Sequence, residues 1–167
     1  AKAFKKRGVQ ILTGHKVQSV QATETGVQVV VSADGQETTL EADQALMAIG
    51  FKPNSLNLGL EEVGVELNER KFVKINEKMQ TNVPNIYAIG DVTGQLLLAH
   101  VASAMGIVAA ETIAGVETVT LDYRMMPRAT YCQPQVASFG YTEAQAKEAG
   151  FELKIGRFPF QPNGKAL

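Results

Sequence analysis

Asn85-Ile86-Tyr87-Ala88-Ile89-Gly90-Asp91 is the stretch on which the reading of this chain turns. Ile86 to Ile89 carries no charge, stops at a glycine and is followed at once by a carboxylate. An apolar run bounded by turn-formers fits a strand buried on both faces of a parallel sheet. The carboxyl end of such a strand is where α/β folds bind ligands. Asp91, when ionised, only accepts hydrogen bonds, so it suits the vicinal hydroxyls of a sugar or ribityl chain. Gly90 leaves room for them to approach. Taken alone, the dipeptide is explained as well by a strand-ending turn with a solvated aspartate, so the surroundings have to decide.

Downstream, Leu98 to Ala114 reads as a helix with Val101, Met105, Val108, Ala109, Thr112 and Ile113 on one face, stopped by Gly115. Ala102, Ala104, Gly106 and Ala110 are small enough to let another backbone or a flat ligand lie close. The free amides at its start, around Leu98-Ala99-His100, point back toward whatever Asp91 holds and suit an anion. The His100 ring reads equally well as a buried or capping histidine; its backbone matters more than its ring. Beyond Asp122 the character changes. Arg124 to Tyr131, Val136 to Gly140 and Phe151 to Phe160 read as strands around a helix from Thr142 to Ala149, the opening of another domain. Met125-Met126 reads as core, and Cys132, with no Lys or His nearby to activate it, as a structural thiol.

Upstream, Asn76 to Asn82 reads as a polar linker, Phe72 to Ile75 as a short strand and Leu58 to Val63 as one or two helical turns. Ala45-Leu46-Met47-Ala48-Ile49-Gly50 repeats the theme of the opening stretch, a buried strand closing on glycine, and Pro53 blocks further pairing. Gly50 offers a close backbone approach to a second flat ligand, or a plain turn. Val17 to Ala22, Val27 to Val31 and Glu37 to Leu40 alternate with period two and form an antiparallel meander, its second turn marked by Asp34-Gly35. Ala1 to Arg7 reads as the end of a helix stopping at Gly8, with Val9, Ile11 and Leu12 leading into a short strand.

Composition narrows the function classes. The 167 residues are 45% hydrophobic and 20% charged, with a formal net charge of −1. That is a globular composition with no clustered positive charge of the kind nucleic acid binding needs. Leu96 to Gly115 is interrupted by His100, Ser103 and Glu111 and is no membrane span. The basic start has no apolar segment after it and is no secretory signal. With the single Cys132, these features lead us to expect a cytoplasmic setting. No H-x-x-x-H or C-x-x-C spacing marks a metal site, and no G-x-G-x-x-G phosphate loop is present.

Ala48 to Asn54, Thr81 to Asp91, Leu98 to His100 and Tyr131 to Glu143, taken in register, resemble the pyridine nucleotide-disulfide oxidoreductase family across essentially the whole chain. The last stretch is most similar to members that oxidise dihydrolipoamide. The resemblance implies an α/β fold: part of a flavoprotein with two Rossmann-like dinucleotide-binding domains, followed by the start of an α+β dimerisation domain. Residues 1–51 would close the NAD-binding domain, 52–122 would complete the FAD-binding domain and 123–167 would open the dimerisation domain. Asp91, beside Gly90, would bind the ribityl hydroxyls of FAD. The amides of Leu97, Leu98, Ala99 and His100 would face the flavin pyrimidine edge, and Val17 and Gly50 would line the NAD site.

The implied reaction is electron transfer from dihydrolipoamide, free or on a lipoyl-carrying protein, to NAD in a homodimer. The family's redox cysteine pair, phosphate loops and His-Glu pair lie outside these residues, so no catalytic residue is expected here and the chain by itself is expected to be inactive. Phe51 stands where Arg is often found, and Cys132 where Thr is common. The alternatives are another family member, such as a mercuric or glutathione reductase or a transhydrogenase, or, from another class, a non-catalytic module that dimerises through the residues after Asp122.

Overall fold

The computed structural model describes residues 1–165, which fall into two compact units: Ala1–Lys52 and the chain from Pro53 onward. In the N-terminal unit a short helix α1 (Lys2–Lys6) ends at Arg7 and Gly8. The strand expected from Val9 to Leu12 does not form. Val9 N–H donates back to Phe4 O at 3.1 Å as part of the helix exit, and the residues after it join no ladder.

The meander is present and longer than its alternating core suggested: β1 (Lys16–Ala22), β2 (Val27–Ala33) and β3 (Gln36–Ala42), antiparallel in the order β1-β2-β3. Asp34 and Gly35 both have positive φ, 51° and 78°, which matches the twist of a two-residue hairpin and sets the register from Ala33↔Gln36 to Val27↔Ala42. β1 is bulged at Gln18, between the pairs Val17↔Val31 and Ser19↔Val30. The Gln18 amide donates to Ser32 Oγ.

The run Ala45 to Gly50 corrects the sequence reading. It is extended but unpaired, with Leu46 at 90% and Ile49 at 89% exposure instead of buried between neighbours. A parallel strand exists only through its partners, and both sheets among the described residues are antiparallel.

In the C-terminal unit the core gathers around one helix, α2 (Ala99–Ala114). Its alanine-rich sequence favours the helix intrinsically. Gly115, in the left-handed region at φ 68°, closes it while Val116 N–H reaches back to Glu111 O. Val101, Met105, Val108 and Ala109 are buried together with Met79, and Ile75, Tyr87, Leu96, Leu98, Leu121, Tyr123 and Met126 pack around them. Ile113, expected on the buried face, is exposed, and so is Met125, which leaves Met126 alone of that pair in the core.

The segments leading to α2 are side-chain-capped turns more than regular elements. Phe72 to Ile75 contributes only a bridge, Val73 to Leu67. Leu58 to Val63 makes overlapping hydrogen-bonded turns, with Gly59 O, Leu60 O and Glu61 O accepting from the amides of Val63, Val65 and Gly64, and no regular helix. The expected linker from Asn76 is ordered: Asn76 Oδ1 accepts from the amides of Lys78 and Gln80, and Met79 between them is buried. Asn85 to Asp91 pairs only at Tyr87, opposite Gln80, again for want of a parallel neighbour among the described residues.

Past α2 a 3₁₀ turn (Tyr123–Met125) is capped by Asp122, whose carboxylate accepts from the backbone N–H and the Nε of Arg124, both at 3.0 Å. The Arg124 guanidinium also lies over the Tyr141 ring and donates to its hydroxyl. β4 (Arg128–Thr130) and β5 (Val136–Ser138) form a short antiparallel pair, well inside the longer strands expected there. α3 (Glu143–Glu148) follows with Thr142 and Gln145 in a reciprocal capping box. Phe151 to Phe160 is not a strand.

Candidate functional site

The residues singled out by sequence separate between the units. Val17 lies on β1 opposite Val31, and Gly50, at φ 133°, ends the unpaired apolar run; both belong to the N-terminal unit. Gly90, Asp91, Leu97, Leu98, Ala99 and His100 belong to the other. Within that unit the turn rests on α2, where Gly90 meets Ala102 and Met105.

Ile89 is extended, Gly90 turns into the left-handed region at φ 71°, and Gly90–Thr93 forms a single 3₁₀ turn with Asp91 in it. A Cβ on residue 90 would stand 3.3 Å from Ala102 Cβ, so the missing side chain is what lets α2 close on the turn. At Gly94, which caps the turn at φ 69°, a Cβ would fall 2.6 Å from the ring of buried Phe72. The turn is thus pinned from both sides, by α2 and by Phe72, while Val73 N–H donates to Val92 O at 2.9 Å. Sequence reasoning found Gly90 but passed over Gly94; a second glycine so soon after Asp91 was the available signal.

Asp91 is exposed, and its carboxylate has no hydrogen-bond or ion-pair partner among the described residues. An exposed acceptor on a pinned turn is free to take hydrogen bonds from solvent or from an external donor such as a diol. The helix start provides the complementary polarity. Ala99 and His100 are the first residues of α2, so their amides have no partner within the helix. The expected set needs one correction: the Leu98 N–H is already donated to Leu96 O at 2.9 Å, and Leu98 serves as the extended N-cap whose carbonyl receives Val101 and Ala102. Leu97 and Leu98 are partly buried, Ala99 and His100 exposed. The His100 ring, which the sequence left undecided, is hydrogen-bonded through Nε2 to Pro127 O at 2.9 Å. Cys132 is partly buried, its Sγ 3.0 Å from Pro134 O.

Carboxylate, bare glycine and free helix amides form a donor and acceptor set that fits FAD: hydroxyls of the ribityl chain to Asp91, and the electron-rich edge of the ring to the amides and the positive end of the α2 dipole. No helix among the described residues is long and apolar enough to cross a membrane.

Comparison with known proteins gives the family. Residues 1–106 match the pyridine nucleotide-disulphide oxidoreductase family, and residues 126–167 match the dimerisation domain of the same family. The chain belongs to the pyridine nucleotide-disulphide oxidoreductases. A dihydrolipoyl dehydrogenase of Mycobacterium leprae is 59% identical over 99% of this chain and 36% of its own length. One of Bacillus subtilis is 46% identical over 98% of the chain and 34% of its own length. Among solved structures, LpdA of Mycobacterium tuberculosis superposes with a TM-score of 0.88 at 31% identity, over 99% of this chain and 35% of that one. The HOCl-induced flavoprotein disulfide reductase RclA of Escherichia coli gives 0.85 at 26% identity, over 99% of this chain and 37% of that one. The chain therefore spans little more than a third of the relatives it matches.

Proposed function

We propose that this chain forms part of an FAD- and NAD-dependent oxidoreductase that transfers electrons from dihydrolipoamide to NAD, acting in the cytoplasm as a homodimer on free or protein-borne lipoyl groups. The observation that carries the reading is Asp91, an unpartnered carboxylate on the Gly90 turn against the start of α2. The identity with dihydrolipoyl dehydrogenases over nearly the whole chain supports the choice of substrate. The lower identity to RclA makes another disulfide reductase activity the weaker reading.

In this reading residues 1–51 complete the NAD-binding domain, 52–122 the FAD-binding domain and 123–167 begin the dimerisation domain. Val17 and Gly50 line the nicotinamide side. Asp91 accepts hydrogen bonds from the ribityl hydroxyls, and Gly90 keeps that approach open. The amides of Leu97, Ala99 and His100 face the pyrimidine edge, where they favour the reduced, electron-rich form. FAD, when bound, supplies the two-electron chemistry that links a dithiol to nicotinamide.

The experiment is Asp91→Ala in the full-length polypeptide that carries this chain, with flavin content and FAD affinity measured. A charge-assisted hydrogen bond contributes about 1.5–3 kcal/mol, so the affinity is expected to fall by roughly one to two orders of magnitude. Dihydrolipoamide-dependent NADH formation should fall in proportion to the flavin lost. Unchanged flavin content and affinity would remove the ribityl-anchor reading.

A further inference from the structure

The turn that presents Asp91 is held by two side chains to which the flavin reading assigns no part. Gly90 contributes to both peptide groups that precede the Asp91 Cα. Its N–H finds no backbone acceptor among the described residues and is directed at Met105 Sδ, 3.4 Å away. Its C=O accepts a 2.7 Å hydrogen bond from Thr93 Oγ1. Both clamping residues are interior: Met105 is fully buried on α2, and Thr93, 4% exposed, is with Ser55 one of the two buried polar residues among the described residues.

A buried hydroxyl needs a partner of its own, and here that partner is the carbonyl one residue before the carboxylate, which also belongs to the backbone ladder of the 3₁₀ turn. A thioether sulfur is a weak acceptor, so Met105 acts chiefly by packing against the Gly90 amide, and Thr93 holds the stronger of the two bonds. Left-handed Gly90 has wide conformational freedom of its own. The backbone bonds of the 3₁₀ turn fix its course, and these two contacts narrow the freedom that remains to the peptide planes on either side of Gly90, and with it the direction of the Asp91 side chain.

We propose that Thr93 and Met105 are positioning residues, which lock the two peptide groups around Gly90 and thereby fix the direction in which Asp91 presents its carboxylate to a ligand diol. The inference rests on the reading of Asp91 as the ribityl anchor.

The test uses the full-length flavoprotein with FAD as the probe. Thr93→Val keeps the shape and removes the donor; it should weaken FAD binding about tenfold, the effect of losing one well-made hydrogen bond's worth of orientation. Thr93→Ser, which restores a hydroxyl, should recover most of that loss. In the Asp91→Asn background Thr93→Val should cost no further affinity, because a residue that acts through Asp91 has nothing left to position. Met105→Leu, close to volume-conserving, should accelerate hydrogen exchange of the Gly90 amide in the FAD-free protein.

Wild-type affinity in Thr93→Val, or a loss that simply adds to that of Asp91→Asn, would overturn the proposal. So would an unchanged Gly90 exchange rate in Met105→Leu, a readout that stands even if Thr93→Val does not fold. If Asp91→Asn itself binds FAD as wild type does, the ribityl reading fails and the positioning role falls with it. The exchange data would still show separately whether the clamp on Gly90 exists.

Discussion

Asp122 caps the 3₁₀ turn after α2, and its bonds to Arg124, side chain first and backbone second, hold its carboxyl below the usual carboxylate range; in return they raise the Arg124 guanidinium. The sign follows from the direction of the shift. The stabilisation is fully present above the unfolded carboxylate pKa and is lost as pH falls through the lower folded value. The pair is solvent-exposed, so the effect is local. We expect the Arg124 amide to lose protection from exchange only in strongly acidic solution, below the ordinary carboxylate range, and Asp122→Asn to abolish that pH dependence; an exchange rate with the same pH profile in both proteins would count against the cap. Burial pushes the neighbouring Tyr123 phenol upward, so it stays neutral well into the alkaline range. At this scale the sequence was most legible where chemistry is written in residue type. Gly90-Asp91 and Asp34-Gly35 each name a backbone conformation outright. Thr93 and Met105 carry no such signature, because a hydroxyl or thioether acquires meaning only from the group it meets through space.

Among elements, α2 illustrates both what a pattern gives and where it stops. Ile113 stands about a third of a turn round the helix from Val101 at 3.6 residues per turn, at the rim of the apolar face; Val101 is wholly buried and Ile113 is 65% exposed. The core gathered from Met79, Leu121 and Met126 does not cover the last helical turn at Ile113. Val101→Ala should therefore lower stability by about 1–3 kcal/mol, and Ile113→Ala by less than about 0.5 kcal/mol, in thermal or denaturant unfolding. Equal effects would contradict this assignment of the buried face. The meander, α2 and α3 were all readable because hairpins and helices satisfy their backbone groups locally or with a sequence neighbour. The runs Ala45 to Gly50 and Asn85 to Asp91 were read as strands from apolar content. That content is a property of the residues, whereas being a strand requires a partner that the described residues do not include. The side-chain-capped turn at Asn76 was missed for the opposite reason: its polar residues look like a solvated connection until Asn76 Oδ1 is seen gathering two amides.

For the molecule as a whole, the largest departure from an ordinary surface is the apolar segment Leu46, Met47, Ile49 and Phe51, all strongly exposed and unpaired. A contiguous apolar strip with free backbone groups is a template for association. The 167-residue chain produced alone should self-associate in sedimentation and should not retain FAD on purification. Leu46→Lys with Ile49→Lys should reduce the association, and a monodisperse wild-type chain would refute it. The family match over residues 1–106 and 126–167 places these observations in a common architecture.

The extra residue in β1 has a simple arithmetic consequence. Opposed residues in an antiparallel pair share a face, and Val31 and Val29, two apart on β2, lie on the same one. Their partners Val17 and Val20 are three apart and ought to point in opposite directions; the inserted Gln18 absorbs the odd step. A chain shortened by that one glutamine would pair without interruption and still keep both valines on their present side. What it would give up is the local bend, and with it the angle at which Val17 meets whatever approaches the meander.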